Sequence, residues 1–539
     1  MKMNRFFALL LCFSLSLGFL SGCGAPSGAS SPPTVSGTQT GSGISALGQY
    51  PITKEPITLK IMGRKDPGAP DWSNLEVFKR LTKITNIQFK FELSETDTWP
   101  EQKNIALVGG EYADLIMRDD AAAITDEETY GPQGIFLNLT ELIDKYAPNI
   151  KAMMNSRPDV RAAMTALDGK IYGLPYVFST ATVQGHTGFF DSQKMKNSGI
   201  AKVPETTEEL YAMLKAFKEK GKVEIPFTCV GLTTTMRDLL IPAFTGTPEG
   251  LGFNLKNNEV VYAPALPEYQ EFLKYAHKLY AEDLLDPEFS TQTIQQWQAK
   301  VKAGMCGVYS GSPTMLDAET TKTEQYSLPP LTSAANSQKI LKEPINLYPG
   351  RALITKKCKN PEAAMRLLDM FYATPDKAVE GFSGQTLFMG WEDEHWKYTD
   401  NSKTAYQWIE PIKGFSDINK TVSVNMELPG LLNFPAIPSG NPLMENKVAQ
   451  VNKMQKPYYT EPFPQNARFT TAESERGNVI ENDLYNYVLM MTTKFIVGEE
   501  NPETGFAAYV DTLNKTGLPE LLKIKKAAYE RWTKAMNSK

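Results

Sequence analysis

Two hydrophobic periods alternate along the body of the chain. Ile57-Thr58-Leu59-Lys60-Ile61-Met62 alternates as a strand does. Leu75, Phe78, Leu81 and Ile84 then recur at helical spacing, with Lys79, Arg80 and Lys83 between them. Ile87-Gln88-Phe89-Lys90-Phe91 alternates again, and Trp99 to Val108 returns to a helical pattern that Gly109-Gly110 breaks. Asp114-Leu115-Ile116-Met117 reads as a short buried strand. Strands and helices taking turns this closely predict βαβ units and a mainly parallel sheet, because parallel neighbours need a crossover. A second region of the same kind follows Pro175. Gly188-Phe189-Phe190 is strand-like, and Pro204 opens a helix running to Lys220, with Thr206 or Thr207 as its N-cap and acidic residues in its first turn. Further helices are predicted over 267–281, 361–373, 481–497 and 518–536.

The first 48 residues follow neither period. Lys2 and Arg5 precede a mostly apolar run from Phe6 to Leu20, and small residues lead to Cys23. The run is shorter than the ~20 residues of a membrane span and has the layout of a secretory signal. Leu20-Ser21-Gly22-Cys23 resembles the lipobox of bacterial lipoproteins, where the Cys sulfur receives a diacylglyceryl group and cleavage leaves that Cys first. Gly24 to Gly48 is almost entirely Gly, Ser, Thr, Pro and Ala, so it reads as a tether. At ~5–6 Å × √n its reach is roughly 25–30 Å. Residues 1–22 are therefore expected to be a signal peptide, and 23–50 a lipidated cysteine with its flexible tether.

Composition narrows the function classes. The 539 residues are 42% hydrophobic and 22% charged, enough for a large core. The formal charge of −5 becomes −7 once Lys2 and Arg5 are cleaved away, which argues against a nucleic-acid partner. Only 3 His occur, so a His-rich metal or acid–base centre is not expected. Outside the signal and Cys23 there remain Cys229, Cys306 and Cys358, without metal spacing, read as buried free thiols.

Asp168-Gly169-Lys170-Ile171-Tyr172-Gly173-Leu174-Pro175-Tyr176 resembles the Asp-Gly-Lys-x-Tyr-Gly-x-Pro signature of bacterial extracellular solute-binding proteins of the sugar-binding family 1. Phe189-Phe190-Asp191 through Gly199-Ile200, then Val203 to Leu210, resembles that family's next block. Gly304 to Val308, Arg351 to Thr355 and Asn360 to Ala364 continue the match. Phe495 to Glu500 and the final Ala528-Tyr529-Glu530-Arg531-Trp532 look like the long, oligosaccharide-type lipoproteins. The resemblance implies an α/β, two-lobed periplasmic-binding-protein-like fold of type 2, hinged, each lobe a sheet flanked by helices. Residues 51–178 with 345–412 would form one lobe, and 179–344 with 413–539 the other. It further implies a carbohydrate ligand, the membrane permease subunits of an ABC importer as partner, and a monomer held outside the cell membrane by its lipid alone, with no cofactor. Two stretches depart from the family. Where many members carry a calcium loop, Phe217 to Pro226 holds Lys218, Lys220 and Lys222 and lacks the oxygen ligands, so no metal is expected there. The Arg-x-Asp-Trp-Leu block is replaced by Asp191-Ser192-Gln193-Lys194-Met195.

A sugar ring offers C–H faces to Trp and Tyr, and hydroxyl edges to Asp, Asn and Arg. The candidate ligand-binding residues are accordingly Trp72, in a Gly/Pro-rich loop after the first strand, and Tyr176, beside Phe178 after the signature. His186, Tyr309 and Ser312 flank the second region's strands, Tyr348 and Arg351 precede the return strand, and Trp391 lies in a loop. Trp297, spaced with Ile294 and Val301, reads as core. A glycosidase would need two carboxylates across the bond, and Glu392 with Asp393 or Asp119 with Asp120 are the nearest pairs. Adjacent carboxylates are commonplace among 61 acidic residues, and neither a nucleophile elbow nor a zinc His-Glu-x-x-His occurs, so no enzyme is expected. The rival reading is a peptide-binding or sensor-type solute receptor.

Overall fold

The computed structural model describes residues 43–118, 120–180, 188–232, 235–310, 325–424, 428–434, 437–439 and 442–538. Among these, six strands form one large sheet in the order Gly430–Phe434, Gly173–Thr180, Leu347–Ile354, Leu115–Met117, Ile57–Lys65, Ile87–Glu95. All run parallel except Leu347–Ile354, which returns antiparallel to both of its neighbours. The two crossovers have the predicted form. Helix Glu76–Thr85 buries Val77, Phe78, Leu81 and Ile84 and ends on Asn86 at φ 60°. Helix Trp99–Gly109 ends on Gly110 at φ 72°.

A smaller sheet orders Gln325–Ser327, Gly188–Asp191, Cys306–Ser310 and Ile225–Thr228. Helix Thr207–Glu219 covers it, and Thr206 is its N-cap, its hydroxyl accepting from the Glu209 N–H at 3.1 Å. Helix Pro267–Ala281 spans the predicted residues. Strand Gly430–Phe434 lies in the stretch expected in the second lobe, yet its register runs along Tyr176–Thr180 in the large sheet.

Where the chain passes between the sheets, Leu341–Lys342 pairs in parallel with Tyr459–Thr460 as a short ribbon. Three helices close the chain, over Thr471–Val497, Pro502–Thr516 and Leu518–Asn537. The first begins ten residues before the predicted 481. Its opening turns are polar and hide the period, but Thr470 and Glu473 form a reciprocal capping box that fixes the start. This helix sits on Pro267–Ala281 through Tyr269 Oη to Thr492 Oγ1 at 2.8 Å and His277 Nδ1 to the Ile496 carbonyl at 3.0 Å. Leu518–Asn537 packs against Pro158–Met164, so the C-terminal helices touch both bodies. Cys229, Cys306 and Cys358 are free and buried, as read from the sequence.

One buried ion cluster ties these parts together. Arg468, just ahead of the long C-terminal helix, donates to Glu127 Oε2 at 2.7 Å, Glu128 Oε1 at 2.8 Å and the Ala163 carbonyl at 2.6 Å. Burial pushes the Glu127 carboxyl up, and the Arg468 guanidinium pulls against that. Glu127 lies behind two glycines of the sheet. A Cβ on Gly173 would stand 2.4 Å from Glu127 Oε1, and one on Gly350, at φ +66°, 2.2 Å from the Ala122 carbonyl oxygen. Removing one member of a buried pair strands the other charge and costs about 3–5 kcal/mol. Arg468→Met is therefore expected to lower the unfolding free energy by that much, read as a lower denaturant midpoint, and Glu127→Gln in the same chain to recover part of the loss. An unchanged midpoint for Arg468→Met would refute this role.

Candidate ligand-binding site

In open α/β sheets ligands meet the carboxyl ends of the parallel strands. Here that edge carries Arg64 and Lys65 at the end of the first strand, Glu95 at the end of its neighbour, and Arg118 just past Leu115–Met117. The return strand enters at this edge because it runs the opposite way, which places Tyr348 and Arg351 beside the others.

Tyr348 stands opposite Tyr176 in the register, and a bulge follows before Ala352. Tyr176 and Phe178 lie near parallel at 5.7 Å, Tyr176 and Tyr348 at 6.2 Å, and Phe178 and Tyr348 at 6.4 Å. Tyr176 is buried, while Phe178 and Tyr348 are half-buried and keep ring surface open. The three-stranded sheet of Trp396–Tyr398, Ala405–Trp408 and Ile437–Pro438 extends this wall, with Trp408 edge-on to Phe415 at 5.1 Å.

One guanidinium stands against the rings, and a second is tied to its backbone. Arg351 lies over the Tyr348 ring at 5.1 Å. The Arg118 N–H donates to the Arg351 carbonyl at 2.9 Å, and its side chain donates to the Arg64 carbonyl at 3.0 Å and to Asp66 Oδ2 at 2.6 Å. Arg118 adopts φ 93°, so a non-glycine residue holds a strained backbone at the edge. Lys65 and Glu95 pair at 2.6 Å. The edge thus offers flat apolar faces beside planar, permanently charged donors.

Of the eight residues nominated from sequence, the structure brings Tyr176, Tyr348 and Arg351 together. Trp72 sits elsewhere. It is 2% exposed, parallel to Phe78 at 5.7 Å and edge-on to Phe91 at 5.6 Å. The nomination of Trp72 as a ligand-facing loop ring is corrected by packing: Gly63 leaves room for the indole in the core, since a Cβ there would stand 3.0 Å from it. Trp391 is buried under the Arg80 guanidinium at 4.1 Å, and that guanidinium donates to Glu394 Oε1 at 2.9 Å. Its ring thus fastens a loop to helix Glu76–Thr85, and the indole packed into the aromatic wall is that of Trp396. Tyr309 is buried and stacks on Phe189 at 6.2 Å within the smaller sheet's core. Trp297 is core, as read. His186, Ser312 and the lipidation candidate Cys23 lie outside the described residues. Arg64, Arg118 and Trp408 were missed. Their only sequence signal is position: Arg64 is a basic residue at the end of a strand, and Arg118 one directly after a strand.

The model of the family described as bacterial extracellular solute-binding protein matches residues 70–378, more than half of the chain. The chain belongs to that family. Among curated proteins, this solute-binding chain is 25% identical to the fructooligosaccharide ABC transporter substrate-binding protein FusA of Streptococcus pneumoniae, over 90% of this chain and 92% of that one. Lipoprotein LipO of Bacillus subtilis is 24% identical, over 86% and 91%. Among solved structures, an HMO-binding ABC-transporter-associated solute-binding protein from Bifidobacterium longum infantis superposes with TM-score 0.75 at 21% identity, covering 89% of this chain and 99% of that one. FusA in complex with kestose gives 0.68 at 21%, over 88% and 99%. The fold is the two-lobed α/β periplasmic-binding-protein-like fold. Among the described residues, no helix is long and apolar enough to cross a membrane.

The buried position of Trp72 sets an expectation for this solute-binding protein. Trp72→Ala should cost about 3–5 kcal/mol of stability, read as a lower midpoint, while ligand affinity of the folded fraction stays within about twofold. An affinity loss at unchanged stability would instead return Trp72 to the ligand site.

Proposed function

We propose that the chain is the extracytoplasmic, lipid-anchored receptor of an ABC importer and captures an oligosaccharide between its lobes without turning it over. The observation that carries this is the parallel aromatic trio Tyr176, Phe178 and Tyr348 with Arg351 against it, at the carboxyl edge of the large sheet. Rings take the C–H faces of successive sugar units, and a guanidinium forks to paired hydroxyls or a sugar carboxylate. Both curated relatives that span most of this chain carry names that fit, a fructooligosaccharide receptor and a lipoprotein.

One lobe would carry 51–178 and 345–412 with strand Gly430–Phe434, and the other 179–344 with the helices after 470. Ligand contacts both, and so favours the closed state by its differential affinity. Diacylglyceryl at Cys23 would hold the monomer on the outer face of the membrane, where it meets the permease subunits.

Titration of intrinsic tryptophan fluorescence with a panel of oligosaccharides is the deciding experiment. A saturable change with at least one glycan is expected, and Tyr348→Ala should weaken it about tenfold, ~1.4 kcal/mol. A response to peptides alone would overturn the sugar reading, and release of reducing ends would make the protein a glycosidase. Cys23→Ser is expected to move the protein from the membrane fraction to the medium. Retention on the membrane would refute the anchor.

A further inference from the structure

A cavity of about 700 Å³ opens beside the ribbon that joins the two sheets. Leu347 lines it, whereas Tyr348, the next residue along the strand, belongs to the aromatic wall. Neighbouring side chains of a strand point to opposite faces, so the cavity lies behind the return strand, on the far side from the candidate ligand site. Phe253, Phe463 and Trp532 form its apolar wall, and all three are largely buried.

The cations that line the cavity are engaged. Arg157 is bidentate on Asp159 at 2.8 and 2.5 Å, and Lys525 meets Glu481 at 2.9 Å. Lys342 and Arg237 both reach Glu249. Two of the five carboxylates that line the cavity are not. Among the described residues, the carboxylates of Glu343 and Glu461, both exposed at the cavity mouth, have neither an ion pair within 4 Å nor a hydrogen-bond donor, although Glu343 acts on Arg157 electrostatically; partial desolvation together with Glu343 and Asp159 pushes the Glu461 carboxyl up. Asn466 is 8% exposed and lines the cavity. Its Nδ2 donates to the Leu347 carbonyl at 3.3 Å, and its Oδ1 accepts nothing from the described residues.

The rings of this wall already carry one ammonium. The Lys525 Nζ stands 4.9 Å from the Phe253 ring, 5.4 Å from Phe463 and 5.2 Å from Phe469. A cavity with spare acceptors, a surplus of negative charge at one side and ring faces at the other complements a donor-rich cation with a carbon stem.

We propose that this cavity is a second binding site, for a small organic amine, whose ammonium donates to Glu343, Glu461 and Asn466 while its stem lies on Phe253, Phe463 and Trp532. Glu343 directly follows one strand of the ribbon and Glu461 the other. A bound amine therefore bridges both crossing segments. The site is independent of the carbohydrate reading, because it shares no side chain with the aromatic wall.

Calorimetric titration of the purified chain with 1,5-diaminopentane tests it, with 1,5-pentanediol as the neutral isostere and glutarate as the anion. The expected result is saturable 1:1 binding of the diamine, at least tenfold weaker binding of the diol, and no glutarate binding. The double substitution Glu343→Gln/Glu461→Gln, which alters only exposed side chains, should lower diamine affinity at least tenfold while the melting curve stays in place. Absence of saturable diamine binding, equal binding of the diol, tighter binding of glutarate, or unchanged affinity in the double variant would each overturn the proposal.

Discussion

The buried contact of Arg468 with Glu127 and Glu128 is the constraint on which the remaining geometry rests. A carboxylate that is fully buried needs its counter-charge, and that charge comes from a segment more than 300 residues away in sequence. The pair thus pins the C-terminal helices to the large sheet, although their main packing is on the helix Pro267–Ala281. Glu127 also fills the space behind Gly173 and Gly350, so the carboxylate, the glycines and the arginine define one another's positions. Gly350 precedes Arg351 and lies within the bulge that follows Tyr348. Through those two residues, the ion pair sets the backbone on which the ligand-facing side chains are mounted.

The candidate site follows from strand direction. An all-parallel sheet would present only carboxyl ends at this edge. The antiparallel return strand brings its first residues there as well, so residues from distant parts of the chain share one surface. Tyr176 and Tyr348 are register partners, and their stacking is a direct outcome of the pairing. Arg118 is held by the Arg64 carbonyl and by Asp66, which orients its guanidinium. Such preorganisation lowers the ordering cost of binding.

Much of the fold was legible because it is local. The helix Glu76–Thr85 and its flanking strands write their periods into consecutive residues, and Thr206 names its own helix start. The C-terminal helix start was not legible from period alone: Thr470 and Glu473 announce it by capping, while the turns between them and residue 481 are polar. The site was legible in part. Tyr176, Tyr348 and Arg351 stand next to recognisable motifs at strand ends. Trp72 and Trp391 stand in comparable loops, yet their rings are consumed by Phe78 and by Arg80, contacts that depend on packing across the fold. Arg118 carries no motif and becomes visible only once three strands are laid side by side.

The ribbon of Leu341–Lys342 and Tyr459–Thr460 has a mechanical consequence. Pro344 follows one of its strands, and Pro462 and Pro464 the other. Proline fixes φ, so backbone rotation is squeezed into the few residues between the ribbon and the prolines. With so few free torsions left, the ribbon resists twist between the two segments that it joins.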